Sequence, residues 1–583
     1  MNLRSLTAFF WGAFLVTAIM FVVMGIEHVR YPGFLEIMEA DSLHQIARIA
    51  SGKSPYPMPD GEFIALAYTP FYHYIAAGFY RLSGDSFAGP RLVSLLAAIG
   101  SGLILFHMAK RETGQSHIGA LAAALFFASH RIMDSWLTCA LPDSMFLLLL
   151  LGGFWFLLYG VRGWHEAAWL TLFTLAFWTK QHGAFFFGLA VAYALLFRSN
   201  VWPRWAFVVG LLFGGPTLYF SLGPLLGDGF FQQTFVVPGH WERSVSHSAR
   251  RTAFVLIEFL PFALLGAAIH LRTAVRFRPL RISGSAWMLA TSLLATLATM
   301  TVTGSSNNHF IPFVAASLLC CALGVNKLLC IAATTQLRRT LGCGFAAALV
   351  LTSAVTITAI RSFPHHAIPV FVPGVAAAAL IGFAVFCILQ TRAAKLSDVS
   401  QPSRFGADLC STSGFAFLLI TAQFGTQYFQ WTQQVADPRL DTGLDRLQAD
   451  LRNLGGDIAW LPYGYVPINL TGSPILTFPS TVALEDIVRQ KNVAGTTVDR
   501  LAPFFERMQS QERLYVLSDE RIEKIVVWNE IPAHWTLVKD YGLELSGVQQ
   551  ITRHWFGGGS YPRYLYRMET QRPTADVSIS GTE

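Results

Sequence analysis

Charge is scarce in this chain. Of its 583 residues only 13% are Asp, Glu, Lys or Arg, against about a quarter in soluble domains. Acid is scarcer still in the middle: no Asp or Glu occurs between Leu260 and Ser397. Cysteine is sparse as well. Seven are present, none falls after Cys410, and none forms a C-x-x-C pair. That pattern argues against a disulfide framework and against a thiolate metal site. No P-loop, no H-E-x-x-H and no G-x-G-x-x-G ahead of a suitable helix is found, so soluble nucleotide chemistry lacks a signature. The pair His365-His366 is too little for a metal site, and no internal repeat is visible.

What the chain has instead is apolar length. With 53% hydrophobic residues it reads as an α-helical polytopic membrane protein. About thirteen runs are long enough to be spans: 7–25, 87–108, 117–133, 143–160, 166–179, 182–197, 205–223, 252–271, 285–303, 309–333, 341–360, 367–390 and 413–429. The first is long enough to cross a bilayer and lacks a convincing cleavage site, so it is read as a retained helix. Basic residues gather at alternate ends: Lys110-Arg111, Arg162, Arg198 with Arg204, Arg272 to Arg281, Arg338-Arg339, and Arg392 with Lys395. The positive-inside rule places those ends in the cytoplasm, which also accounts for the net charge of +7. The opposite ends face outward, including loop 26–86 and everything after the last span.

The membrane domain is expected over 1–430, with juxtamembrane helices in loop 26–86, where Phe63, Tyr68, Phe71, Tyr72 and Tyr74 favour interfacial depth. A small extracytoplasmic α/β domain is expected over 431–571, and a disordered tail over 572–583. Within that domain, 441–454, 481–490 and 497–511 read as helices; 457–462, 513–517 and 564–568 read as strands.

The outward-facing ionisable residues of the membrane part are few, and they are the candidates for chemistry. Glu39 and Asp41 stand one residue apart, ahead of an amphipathic stretch with Leu43, Ile46, Ala47 and Ala50 on one face. Ser42 with Gln45 has capping-box spacing, and Gly52 suits the stop. Asp41 then either caps the helix or acts. Glu39, freer to point into a cavity, is the favoured base, with Asp41 close behind. Asp143 opens the fourth span behind Pro142, as a dipole-favoured acid or as a third member of the acid group. Lys180, in Lys180-Gln181-His182, is either a snorkelling anchor or a phosphate partner, with Arg131 and Arg250 as further cations. His309 caps span ten, where structural and substrate-binding roles are both open.

In this order the residues resemble the GT-C glycosyltransferases, membrane enzymes that use polyprenyl-phosphate-linked sugars and include protein O-mannosyltransferases and lipid A aminoarabinose transferases. The match runs from about Glu39 to Phe197: Glu39-Ala-Asp41 for the acid of the first outer loop, Tyr68-Thr-Pro70-Phe-Tyr72 for the Tyr/Pro element, Arg91 opening span two, Leu-Pro-Asp143-Ser for the second acid, and Thr179-Lys180-Gln181 for the turn after span five. The resemblance implies inverting transfer from a polyprenyl-phosphate sugar to an extracytoplasmic glycan, lipid or protein. With it, the expected site has Glu39, Asp41 and Asp143 in catalysis, Lys180 and Gln181 on the donor phosphate, and Tyr68 and Tyr72 on substrate; Arg131 and Arg250 on the phosphate and His309 on substrate are added from their positions at outward span ends. The resemblance also implies a bacterial inner-membrane location with a periplasmic C-terminal domain and no nucleic-acid partner. Two departures are visible. Ala40 separates acids that the family often has adjacent, and Thr69 stands where aminoarabinose transferases carry a phosphate-contacting lysine. No cofactor is certain. A divalent cation, Mg or Mn, is left open, and Glu39, Asp41 and Asp143 would be its ligands. The competing expectation is a transporter or flippase for a lipid-linked or anionic substrate.

Overall fold

The structure is a computed structural model. It describes most of residues 3–197, 219–250 and 275–332, and short stretches of the C-terminal part, chiefly 457–460, 514–518, 533–541 and 564–570. The expected spans at 341–360, 367–390 and 413–429, and most of 205–223 and 252–271, lie outside the described residues, as do the expected helices over 481–490 and 497–511.

Ten helices of twelve residues or more build the described membrane part: α1 Leu3–Arg30, α2 Glu39–Ala50, α3 Phe71–Leu82, α4 Ala88–Thr113, α5 Ser116–Ala128, α6 Asp143–Tyr159, α7 Gly163–Thr179, α8 Gly183–Phe197, α9 Gly284–Thr299 and α10 Ile311–Ala332. Eight of them, all but α2 and α3, coincide with runs expected to span. Among the described residues three stretches, Phe10–Arg30, Ala88–Thr113 and Asn308–Lys327, are long and apolar enough to cross a membrane alone. Helix α2 and helix α3 lie in loop 26–86 and each carries one apolar face, as juxtamembrane pieces should.

Helix α5 sits at the centre of the bundle, packed on α1, α4 and α10. It has 13 residues and is about 20 Å long, well short of the roughly 30 Å hydrocarbon core. Twelve of its residues are buried, so protein rather than lipid surrounds it. Small residues make that packing close. A Cβ on Gly102 of α4 would meet the Phe127 ring at 2.4 Å, and one on Gly119 of α5 would meet the Phe106 carbonyl at 2.6 Å. Small side chains at a helix contact are the usual means of close approach in lipid. Helix α4 ends on Lys110 and Arg111 and is closed by Gly114 in the left-handed region, φ 72°, whose N–H meets the Lys110 carbonyl.

Six strands are described: β1 Val275–Phe277, β2 Leu280–Ile282, β3 Asp457–Trp460, β4 Leu514–Ser518, β5 Ala533–Asp540 and β6 Tyr564–Thr570. The first two form a small antiparallel hairpin in the basic 272–281 segment. The others form one sheet in the order β3-β4-β6-β5, with β3 parallel to β4 and the remaining pairs antiparallel. Strands β3, β4 and β6 fall where the sequence places them. Strand β5 was not anticipated. It is an edge strand with a register shift between Leu537 and Lys539, and Leu537 and Val538 are both exposed, so it lacks the alternation that marks a half-buried strand.

Candidate functional site

Helix α2 starts four residues earlier than the capping-box spacing implies. Its N-cap is Met38, with no side-chain cap, and both Glu39 and Asp41 lie in its first turn, where the helix dipole favours negative charge. Gln45 does not close a capping box. Its amide donates to the Pro55 carbonyl at 3.3 Å and accepts from the Leu66 N–H at 3.3 Å, pinning the rest of the outer loop to α2. Gly52, at φ 78°, does end the segment.

The two acids have opposite surroundings. Glu39 is fully buried, and its oxygens accept four hydrogen bonds: Arg91 Nε at 2.8 Å and the Ala140 N–H at 2.6 Å on Oε1, Arg91 Nη2 at 2.7 Å and the Leu35 N–H at 2.6 Å on Oε2. Arg91 Nη1 also donates to the carbonyls of His28 and Tyr31, at 2.8 and 2.6 Å. A carboxylate offers about four lone-pair sites, so Glu39 has none to spare for an acceptor. The expectation that Glu39 is the freer acid is corrected by this geometry. It fastens α1, α2, α4 and the loop before α6 to one another.

Asp41 is also buried, 3% exposed, yet its Oδ2 has no hydrogen-bond partner among the described residues. It does not cap the helix. Burial, and then the Glu36 carboxylate, push its carboxyl well above the usual carboxylate range. The adjacent Ser42 Oγ is likewise buried without a partner among the described residues.

A second cluster forms where α6, the turn after α7 and the start of α10 meet. Lys180 Nζ donates to Asp143 Oδ1 at 2.7 Å, with both side chains buried. Lys180 also lies over the Tyr68 ring, 5.1 Å from its centroid. The Asn308 side chain is within polar reach of the Asp143 carboxyl and the Tyr68 hydroxyl. The His182 and His309 rings face each other at 4.8 Å, both half-buried.

Other expected site residues hold the frame. Gln181 Nε2 donates to the carbonyls of Ala67 at 2.5 Å and Thr234 at 3.0 Å, so its amide N–H groups are committed to backbone rather than to phosphate. Tyr72 is fully buried and its hydroxyl joins α3 to α4, 3.2 Å from both the Pro90 carbonyl and Ser94 Oγ. Thr69 Oγ1 donates to the Phe177 carbonyl at 2.8 Å. Arg250 is exposed in the 224–251 segment. Arg131 lies in the short turn His130–Met133, and its side chain is outside the described residues.

The clusters adjoin. Ala140, which holds Glu39, is three residues from Asp143, and Glu36 faces both Asp41 and Tyr68. The three acids nevertheless do not form a ligand set: Glu39 faces Arg91 and Asp143 faces Lys180. Among the described residues no group of three or more His, Cys, Asp or Glu is arranged to hold a metal ion. Glu36, Asn308 and His182 are the residues of this site that sequence reasoning did not single out. Glu36 had a signal, being one of few outer acids; Asn308 and His182 had only their adjacency to residues that were chosen.

Residues 67–220 match the family model described as dolichyl-phosphate-mannose-protein mannosyltransferase. No curated protein matches in sequence. In fold the chain is similar to apo ArnT from Cupriavidus metallidurans, with TM-score 0.55 and 15% identity over 95% of this chain and 97% of that one. A second ArnT structure from that organism, bound to undecaprenyl phosphate, aligns at TM-score 0.49 and 15% identity over 98% and 99% of the two chains. The arabinosyltransferase EmbB from Mycobacterium smegmatis aligns at 0.44 and 14%, over 74% of this chain and 41% of that one. With residues 67–220 carrying the mannosyltransferase pattern and the chain following ArnT almost from end to end, this protein is built on the GT-C glycosyltransferase fold.

Proposed function

We propose that the chain is an integral membrane glycosyltransferase, moving a sugar from a polyprenyl-phosphate donor to an extracytoplasmic acceptor with inversion. One observation carries the reading. Asp41 is a buried outer-face carboxyl whose Oδ2 has no partner among the described residues, and Glu36 acts on both it and Tyr68, the ring over which buried Lys180 lies. A buried acid with an unengaged oxygen is costly unless a ligand uses it. The matched family, named for a dolichyl-phosphate donor, supports the donor class.

In this reading Asp41 accepts the acceptor hydroxyl proton as that oxygen attacks the anomeric carbon. The bond from that carbon to the phosphate oxygen breaks on the opposite face, giving inversion. Lys180 turns from Asp143 toward the departing phosphate and stabilises its charge. Asp143 holds Lys180 in the apo geometry, and Tyr68 shapes the wall beside it. Glu39 and Arg91 keep α2 at the angle that presents Asp41. The location in a bacterial inner membrane, with the C-terminal sheet outside, belongs to the same reading.

The test uses membranes containing the protein and a radiolabelled polyprenyl-phosphate sugar. Label arriving on a new molecule with wild type, and not with Asp41→Asn, is the expected result. Label that only crosses the bilayer would replace the transferase with a flippase.

A further inference from the structure

The basic segment between the run 252–271 and α9 has no part in the reaction scheme above, yet its two ends are tied together. His270 Nε2 lies 2.9 Å from Ser285 Oγ, and Lys327 Nζ of α10 donates to the His270 carbonyl at 3.1 Å. Ser285 Oγ donates to Glu112 Oε2 of α4 at 3.1 Å, and the Tyr159 hydroxyl of α6 donates to Glu112 Oε1 at 2.9 Å. The β1–β2 hairpin stands on this clamp. Arg91 and Glu112 lie near opposite ends of α4, about 30 Å apart along its axis. The hairpin is therefore at the other end of the bundle from Glu39 and Asp41.

Its register sets like charges against each other. Val275 pairs with Ile282, Arg276 with Arg281 and Phe277 with Leu280. Strand alternation puts the four apolar residues on one face and Arg276 opposite Arg281 on the other. Opposed like charges weaken a strand pair, and a lone two-stranded hairpin is marginal in water. The sequence adds Arg272 and Arg278, and no Asp or Glu occurs between Leu260 and Ser397. Among the described residues the acids at this end already have partners: Glu112 in the clamp, and Glu166 with Trp169 Nε1 at 2.6 Å.

We propose that the β1–β2 hairpin is a binding site for an anionic phospholipid of the leaflet at that end, its phosphate taken by the Arg276–Arg281 pair and an acyl chain by the face of Val275, Phe277, Leu280 and Ile282. The site is separate from the donor site and does not depend on the transferase reading.

The chemistry selects that occupant. All four bases of 272–281 are arginine, whose planar fork takes phosphate oxygens two at a time. Positive charge on one membrane face is served equally by lysine, so topology alone does not call for this choice. A phosphate between Arg276 and Arg281 turns one repulsive pair into two attractive ones. Nucleic acid or an acidic peptide would satisfy the arginines and leave the apolar face without a partner. A phospholipid satisfies both, and a hairpin joining two membrane runs lies at headgroup depth, where basic residues attract anionic lipid.

The experiment counts lipid bound to the purified full chain in detergent by native mass spectrometry, with phosphatidylglycerol or phosphatidylcholine added, and follows Tm in parallel. Wild type should bind phosphatidylglycerol at least about tenfold more tightly, the worth of one charge-assisted hydrogen bond, and its Tm should rise with that lipid alone. Arg276→Gln with Arg281→Gln should lose the preference. Lys110→Gln with Arg111→Gln, at the same end of α4, should keep it. Equal binding of the two lipids by wild type overturns the proposal, and that comparison needs no variant to fold. So does a preference that survives the paired arginine substitution, or one that the Lys110 and Arg111 substitutions abolish as fully, which would mean diffuse attraction to the basic end. Inorganic phosphate raising Tm as much as phosphatidylglycerol would make the ligand a free anion and overturn the lipid assignment.

Discussion

Arg91 holds Glu39 through two parallel hydrogen bonds, Nε to Oε1 at 2.8 Å and Nη2 to Oε2 at 2.7 Å, with both side chains fully buried. The pair joins the start of α4 to the start of α2, 52 residues apart. Fork-to-fork geometry makes it both strong and directional. Two backbone N–H groups complete the carboxylate, and two carbonyls engage the guanidinium. It is the fixed point from which Asp41, two residues along, is aimed.

Breaking that pair from one side leaves a buried charge uncompensated. Glu39→Gln and Arg91→Met should each cost about 3–5 kcal/mol of stability, seen as a large fall in Tm in detergent. Transfer activity should fall in proportion to the folded fraction. A Glu39→Gln protein with wild-type Tm and no activity would return Glu39 to the catalytic role.

The pH dependence should report Asp41. Its folded carboxyl lies above the ordinary range because of burial and the Glu36 charge, and a base works only when ionised. The acid limb of kcat/KM should therefore have its midpoint above the ~4 of a free carboxylate. Glu36→Gln removes the like charge and should move that midpoint to lower pH. For stability the sign is the reverse of a salt-bridged acid. The folded state holds the proton more tightly than the unfolded one, so Asp41 costs stability as pH rises through its folded pKa. Asp41→Asn should accordingly raise Tm at neutral pH while abolishing transfer.

The pair formed by Lys180 and Asp143 can be separated from its proposed task by a double substitution. Lys180→Met alone strands a buried carboxylate and should be strongly destabilising. Adding Asp143→Asn should restore most of the lost Tm, since the two residues are in direct contact at 2.7 Å. Donor affinity should stay low in the double variant. Restored affinity there would remove Lys180 from phosphate binding.

Gln181→Ala tests whether that side chain serves backbone or ligand. Loss of its two bonds to the Ala67 and Thr234 carbonyls should cost about 1–3 kcal/mol and lower Tm. Donor KM in the surviving folded protein should change little. A tenfold rise in KM with unchanged Tm would mean phosphate contact.

Much of this was legible in the residues. Apolar run length located the described spans, because lipid leaves the backbone little alternative to helix. Scarcity of charge narrowed the candidates to a few acids, and of these Glu39 pairs with Arg91 while Asp143 pairs with Lys180 beside Tyr68. What periodicity could not supply was the pairing. Glu39 and Asp41 differ by a single position, yet one meets Arg91 from another helix and the other does not. That distinction arises from tertiary contacts 52 and 101 residues away, so local sequence ranked the two in the wrong order of freedom. Ser42 and Gln45 misled for a similar reason. Their spacing fits a capping box, but Gln45 is held by the Pro55 and Leu66 backbone and the helix starts earlier. Strand β5 escaped because an exposed edge strand has no alternation to read.

The most direct measurement is single-turnover transfer by the purified chain loaded with radiolabelled polyprenyl-phosphate sugar, comparing wild type with Asp41→Asn. The expected result is donor binding equal in both, with label reaching the acceptor about 10²–10⁴ times more slowly in the variant. An Asp41→Asn protein that binds donor and transfers at the wild-type rate would contradict the account.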